Sequence, residues 1–314
     1  MKKLLGMILT LALAAGLAWP VYAESSTVPP EVTAHAYLVM DAQTGQVLVQ
    51  KGGAERNYPA SITKIMTLAL AVEKCGGDMT QQVTVSPDAV YSLEAGSSHV
   101  ALQPGEVVSL NDLFHATILA SANDAASVLA SDAAGGDLAA FAARMNARAR
   151  QLGCTTTHFS CPHGLYDANN YSTARDLAKI ALACYANPTY RQVADTVLYQ
   201  LPATNVHETR TITTTNKLLQ PGSAAYRSYA HGMKTGFTTK AGRCFVTFAQ
   251  KDGHTYGLVI LGSNSQNIFR EASELLDWAF TSPELHPVQT TTQPEAAAPA
   301  QPEKPLTFWQ LLFS

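Results

Sequence analysis

The run Tyr58-Pro59-Ala60-Ser61-Ile62-Thr63-Lys64-Ile65-Met66 decides how this chain is read. A helix through it sets Ser61 and Lys64 three positions apart on one face, within reach of each other, as a nucleophile beside its base. The helix is expected because Ile62, Ile65, Met66, Leu68, Ala69 and Val72 form an apolar stripe. Pro59 suits a first turn and Cys75-Gly76-Gly77 supplies a stop. Standing alone, the same spacing reads as a helix cap followed by a solvated lysine. No other lysine here has serine three positions before it, so the question is whether the rest of a site exists.

Working outward, Ala36-Tyr-Leu-Val-Met-Asp41 and Gln46-Val-Leu-Val-Gln50 flank Ala42-Gln-Thr-Gly45 and read as a β-hairpin. Residues 110–120, 124–133 and 137–152 read as three Ala- and Leu-rich helices, broken at Ser121-Ala-Asn123 and Gly135-Gly136. Another helix is expected over 172–185, with Ser172 as N-cap and Asn187-Pro188 as terminator. Residues 243–250 and 255–261 around Asp252-Gly253 give the clearest hairpin, and a helix over 268–280 follows it. Strands at both ends with helices between them predict an α+β fold. An antiparallel β-sheet is assembled from distant segments and flanked by helices, with an inserted all-helical lobe. The cleft between the lobes is the natural site.

At 314 residues, 46% hydrophobic and 14% charged, the chain can bury a sizeable core and is not disordered. Met1-Lys2-Lys3, an apolar stretch over 4–19 and Val21-Tyr22-Ala23 predict a signal peptide cut after Ala23, and hence export. The net charge is -3 and no basic patch points to nucleic acid. Five cysteines without a C-x-x-C pair indicate neither a disulfide framework nor a zinc site, and leave at least one thiol free. No metal and no cofactor is expected. Residues 285–305 are a Pro/Thr/Ala-rich linker, and the apolar tail 306–314 is far shorter than the ~20 residues that span a bilayer. That tail reads either as an interfacial anchor or as a sticky end.

Three local signals stand in order: Ser61-Ile-Thr-Lys64, Ser121-Ala-Asn123 and Lys234-Thr235-Gly236. Singly, the second is an ordinary capping turn and the third an ordinary turn. Their order and separation match the active-site set of penicillin-binding proteins and serine β-lactamases. Pro59 to Thr67, Ser121-Ala-Asn-Asp-Ala125, Pro162-His-Gly-Leu165, Tyr171-Ser-Thr-Ala-Arg-Asp176 and Lys234-Thr-Gly-Phe-Thr238 followed by Ala241-Gly242 sharpen the match. Together they resemble the low-molecular-mass D-alanyl-D-alanine carboxypeptidases, serine peptidases of family S11, from about Ala34 to Phe280.

The resemblance implies a serine β-lactamase/DD-peptidase-like fold, with 24–33 a short linker and 34–284 the catalytic domain. It implies that Ser61 attacks the carbonyl between two D-alanines at the end of a peptidoglycan stem peptide, with Lys64 as base. Ser121 relays a proton to the leaving amine and Asn123 holds Lys64 or the substrate amide. The N–H groups of Ser61 and Phe237 form the oxyanion hole beside Lys234 and Gly236, and Thr235 and Arg270 hold the terminal carboxylate. β-Lactams are then covalent inhibitors.

A lysine near pKa 10.4 is the wrong base at pH 7, and lowering it by about 3 units takes roughly 4 kcal/mol, which burial and the Lys234 cation supply together. His163 reads as part of a turn or cleft wall, and Asp124 and Asp176 as helix caps. Two enzyme alternatives share the motifs: a DD-endopeptidase and a serine β-lactamase. Class A β-lactamases use a glutamate for deacylation, yet between Asn123 and Lys234 the only glutamate is Glu208. A catalytically silent wall-binding module is a third alternative, but binding alone needs no activated nucleophile. Many relatives carry a β-rich second domain and an amphipathic anchor where this chain has only the linker and tail. The expectation is therefore an exported enzyme, at most loosely associated with the membrane.

Overall fold

Residues 242–263 show how sequence pattern becomes scaffold. β8 (Gly242–Lys251) and β9 (His254–Ser263) pair antiparallel around Asp252-Gly253. Both turn residues have positive φ, the pattern of the type I′ hairpin whose twist matches its strands. The two strands are the centre of a five-stranded sheet, described in a computed structural model that covers residues 28–281 apart from 92, 95 and 265. The signal peptide, linker and tail read from the sequence lie outside the described residues.

β1 (Ala36–Asp41) pairs antiparallel with β9, β2 (Val47–Lys51) lies outside it, and β7 (Ala230–Thr238) closes the other side, giving the order β2-β1-β9-β8-β7. Both faces of the sheet are covered, so its strands read as nearly continuous apolar runs with alternate residues serving different cores. Leu38, Met40, Val246, Phe248, Val259 and Leu261 belong to one buried cluster, while Tyr37, Val39, Phe245, Leu258 and Ile260 belong to the other.

The second cluster is closed by α8 (Ile268–Thr281), whose Ile268, Ala272, Leu275, Leu276 and Ala279 follow a helical stripe. Burying a leucine in this way contributes on the order of 1.5–3 kcal/mol. Val32 already packs into that cluster, and Thr33 donates to Glu271 from both its N–H and its hydroxyl, at 2.6 Å each. The folded domain thus begins ahead of residue 34, before the boundary expected from the sequence.

The opposite face carries the helical lobe. A 3₁₀ turn, Ala60–Thr63, runs into α1 (Lys64–Cys75), which ends on Gly76 at φ 60°, the left-handed cap that glycine adopts without strain. Short β3 (Gln82–Thr84), α2 (Pro87–Tyr91) and β4 (Val107–Ser109) lead to α3 (Leu110–Ile118), α4 (Asn123–Ala134) and α5 (Leu138–Gln151). The last three match the expected helices to within two residues. α6 (Ala174–Tyr185) packs on β9 and β1, and α1 lies between it and α4.

Three local readings change. The N-cap of α6 is Thr173, whose hydroxyl accepts from the Asp176 N–H, while Ser172 pairs through its backbone with Asn57. Asn187-Pro188 does not only terminate: Asn187 caps α7 (Pro188–Ala194), with Pro188 at the position where a helix tolerates a missing N–H. The hairpin β5 (Leu198–Leu201) with β6 (Arg210–Thr213) was not expected. Its strands are too short and too exposed to show a pattern. All five cysteines are free thiols.

Candidate active site

Lys64 opens α1 with its side chain fully buried. Its Nζ lies 3.0 Å from Ser61 Oγ, 2.6 Å from Asn123 Oδ1 and 2.7 Å from the His163 carbonyl. The spacing of three therefore brings hydroxyl and amine together, although Ser61 sits in the 3₁₀ turn and only Lys64 in the α-helix. A neutral amine has two N–H groups and one lone pair. Asn123 and His163 each accept one hydrogen of the amine, so in the neutral form the lone pair is left facing the Ser61 hydroxyl.

Burial is the main force that holds Lys64 well below the ordinary lysine range, and the Lys234 cation is the second. Asp124 and Cys161 push the other way and do not prevail. Lys234, on β7, is also buried, and loss of hydration brings it down to about 7. Its Nζ donates to the Thr235 carbonyl at 2.9 Å.

The Lys234-Thr235-Gly236 segment is a strand, not a turn, and it forms the edge of the sheet facing Ser61. A Cβ on Gly236 would lie 3.1 Å from the Ser61 amide nitrogen and from the Pro59 carbonyl oxygen, so the missing side chain is what lets β7 close on the nucleophile turn. Phe237 follows it, with its ring exposed and Arg243 stacked above at 4.5 Å from the centroid. Thr235 exchanges a 2.6 Å hydrogen bond with Thr215, a residue that no motif had singled out.

Two residues of the site hold backbone conformations that side chains disfavour. Ala60, just before the nucleophile, has φ 49°, and Ser121, in the bend between α3 and α4, has φ 57°. Strain of this kind persists where the surroundings over-determine it. Here the turn is clamped from behind by Gly164. At φ 81°, a Cβ on Gly164 would fall 2.0 Å from the Ala60 carbonyl oxygen and 2.8 Å from Thr63 Oγ1. Gly164→Ala should cost about 2–4 kcal/mol from strain and overpacking together. It should also slow acylation, because it displaces the His163 carbonyl from Lys64. Thermal unfolding and the rate of penicillin labelling measure the two effects, and an unchanged melting temperature would show the clamp to be absent.

Ser61, Ser121, Thr215, Thr235, Gly236, Phe237 and Arg270 line one open groove of about 1460 Å³. Arg270 lies in the first turn of α8, where Glu274 accepts from its Nη1 at 2.8 Å. It is in the groove as expected, but its guanidinium already holds a carboxylate. The His163 ring is no partner of Ser61. Burial first and Lys64 second lower it to about 3, and its Nδ1 accepts from the Leu165 N–H at 3.2 Å.

Asp124 and Asp176 act beyond their own helices. Asp124 accepts from the N–H groups of Val100 and Leu102, fixing the loop whose Ser98 carbonyl receives the Asn123 N–H. Asp176 accepts from Thr156 and Thr157.

The fold and this buried Ser–Lys pair have the arrangement of a serine hydrolase. Residues 23–265 match the family model described as D-alanyl-D-alanine carboxypeptidase. The chain is 34% identical to DacC of Escherichia coli over 82% of its own length and 64% of that protein's length. It is 33% identical to DacB2 of Mycobacterium tuberculosis, over 80% of its own length and 84% of the relative. The crystal structure of the Streptomyces K15 DD-transpeptidase superposes with a TM-score of 0.74 at 30% identity, covering 81% of this chain and 99% of that one. The chain belongs to the D-alanyl-D-alanine carboxypeptidase family.

Proposed function

We propose that this protein removes the terminal D-alanine from peptidoglycan stem peptides ending in D-alanyl-D-alanine, through an acyl-enzyme on Ser61. The observation that carries the reading is the fully buried Lys64 amine, 3.0 Å from Ser61 Oγ and donating to Asn123 Oδ1 and the His163 carbonyl. In this reading Ser61 Oγ bonds to the carbonyl carbon of the penultimate D-alanine while its proton passes to Lys64. Ser121 relays that proton from Lys64 to the departing amine as the C–N bond breaks, which leaves Lys64 neutral again. Water then attacks the ester with Lys64 again as base, releasing the shortened peptide and restoring the Ser61 hydroxyl. The Ser61 and Phe237 N–H groups stabilise the oxyanion, Lys234 keeps Lys64 neutral, and Thr235 with Arg270 receives the terminal carboxylate. β7 supplies an edge along which an extended peptide can align.

Among the described residues lining the groove the sole carboxylate is Glu274, held by Arg270, and Glu208 is an exposed residue outside it. No free carboxylate there takes the place of a β-lactamase deacylation glutamate, so penicillins should form a long-lived adduct. D-alanine release from a pentapeptide by the purified protein tests the reading. Cleavage of cross-linked dimers alone would make it an endopeptidase, and rapid hydrolysis of a chromogenic cephalosporin a β-lactamase.

The pH profile should be a bell. As pH falls, Lys64 takes a proton and loses its lone pair, so the rate drops. As pH rises through about 7, Lys234 loses the charge that attracts the substrate carboxylate, and the rate drops again. The alkaline limb of kcat/KM should therefore lie near pH 7, and Lys234→Arg should move it upward because guanidinium stays charged. An alkaline limb that does not move in Lys234→Arg would assign it to another group.

We further propose that the protein works outside the cytoplasm. The support is the charged, apolar and small-residue order of 1–23. Fractionation with and without 306–314 tests whether the tail adds membrane association.

A further inference from the structure

The groove wall is rich in cations, and they are not equally engaged. Arg227 is paired with Asp277 and Arg270 with Glu274. Arg243 has no carboxylate partner among the described residues. Its Nε is shielded from solvent with no hydrogen-bond partner, and its guanidinium lies over the exposed Phe237 ring.

Position along β7 gives this cation a meaning. Thr235, bonded to Thr215, lies on one side of the point where Gly236 meets the Ser61 amide, and Phe237 with its register partner Arg243 lies on the other. A peptide whose terminal carboxylate sits by Thr235 and whose scissile carbonyl sits at Ser61 must carry its upstream residues past Phe237 toward Arg243.

We propose that Arg243, supported on Phe237, is a specificity residue that binds a side-chain carboxylate of the stem-peptide residue preceding the two D-alanines. The preferred substrate class then has a diamino diacid with a free carboxylate at that position, not lysine or an amidated diacid. The guanidinium fork suits a carboxylate, and the ring beneath holds it flat. A lysine ammonium at the same place would face a like charge. The proposal rests on the carboxypeptidase reading above and deepens it.

The test compares kcat/KM for D-alanine release from three acyl-X-D-Ala-D-Ala peptides, where X is the diamino diacid, its side-chain carboxamide, or lysine. The wild-type protein should favour the free acid over the carboxamide by about tenfold, the size of one charge-assisted hydrogen bond at a partly exposed site. In Arg243→Gln that ratio should fall to about one, and Arg243→Lys should restore part of it. Equal rates in the wild type, or a preference that persists in Arg243→Gln, would overturn the proposal. Failure of the wild type to release D-alanine from any of the three would instead remove the carboxypeptidase reading itself.

Discussion

Ser61→Ala is expected to abolish covalent labelling by fluorescent penicillin and to cut D-alanine release by about 10⁴-fold or more, because the proposed ester intermediate forms on the Ser61 hydroxyl. The variant should fold normally. Ser61 Oγ makes one side-chain contact, to Lys64, and the 3₁₀ turn is set by its neighbours. Gly236 and Gly164 pack against the backbone around it, and neither packing depends on the hydroxyl. Circular dichroism and thermal unfolding should therefore match the wild type. Covalent label that persists in Ser61→Ala would remove it as the nucleophile.

Lys64→Ala should slow acylation by about 10³–10⁴-fold, the range for a positioned general base. A second effect accompanies the first. The substitution opens a cavity and leaves Asn123 Oδ1 and the His163 carbonyl without their donor, at a cost of about 2–5 kcal/mol. Lys64→Met separates the two, since it fills the volume without an amine. A slow but stable Lys64→Met protein that also lacks the acid limb of the pH profile would assign that limb to Lys64. Normal D-alanine release from either variant would rule Lys64 out as the base.

What local sequence could show was shown well. Each hairpin around Gly45 and Asp252-Gly253 has an apolar run on both sides of a glycine turn, and such signals act between near neighbours. The same holds for α3 and α5, where Ser109 and Asp137 side chains accept from the N–H groups three residues on. α7 was missed because proline was read as a stop and seven residues carry too little periodicity to correct that. β5 and β6 were missed because they pair mainly with each other at the surface.

At the site, the residues that act by type and order were legible, and those that act by placement were not. Thr215 gives no signal, because it lies in a bend after β6 and its partner Thr235 is 20 positions away on β7. His163 acts through its carbonyl, which every residue possesses, so its side chain misdirects. The resemblance gave Arg270 a carboxylate-holding role, and it lines the groove, yet its pairing with Glu274 became visible only when α8 set the two one turn apart.

The sequence by itself determined an α+β fold with a helical insertion and named a nucleophile and an amine within one turn. Periodicity, turn chemistry and motif spacing are short-range and survive in a linear string. Only the tertiary structure decided that the amine holds its proton weakly enough to be proposed as a base. Its proton affinity depends on lost hydration and on a second lysine 170 positions away, and burial and through-space charge exist only once β7 closes against the Ser61 turn.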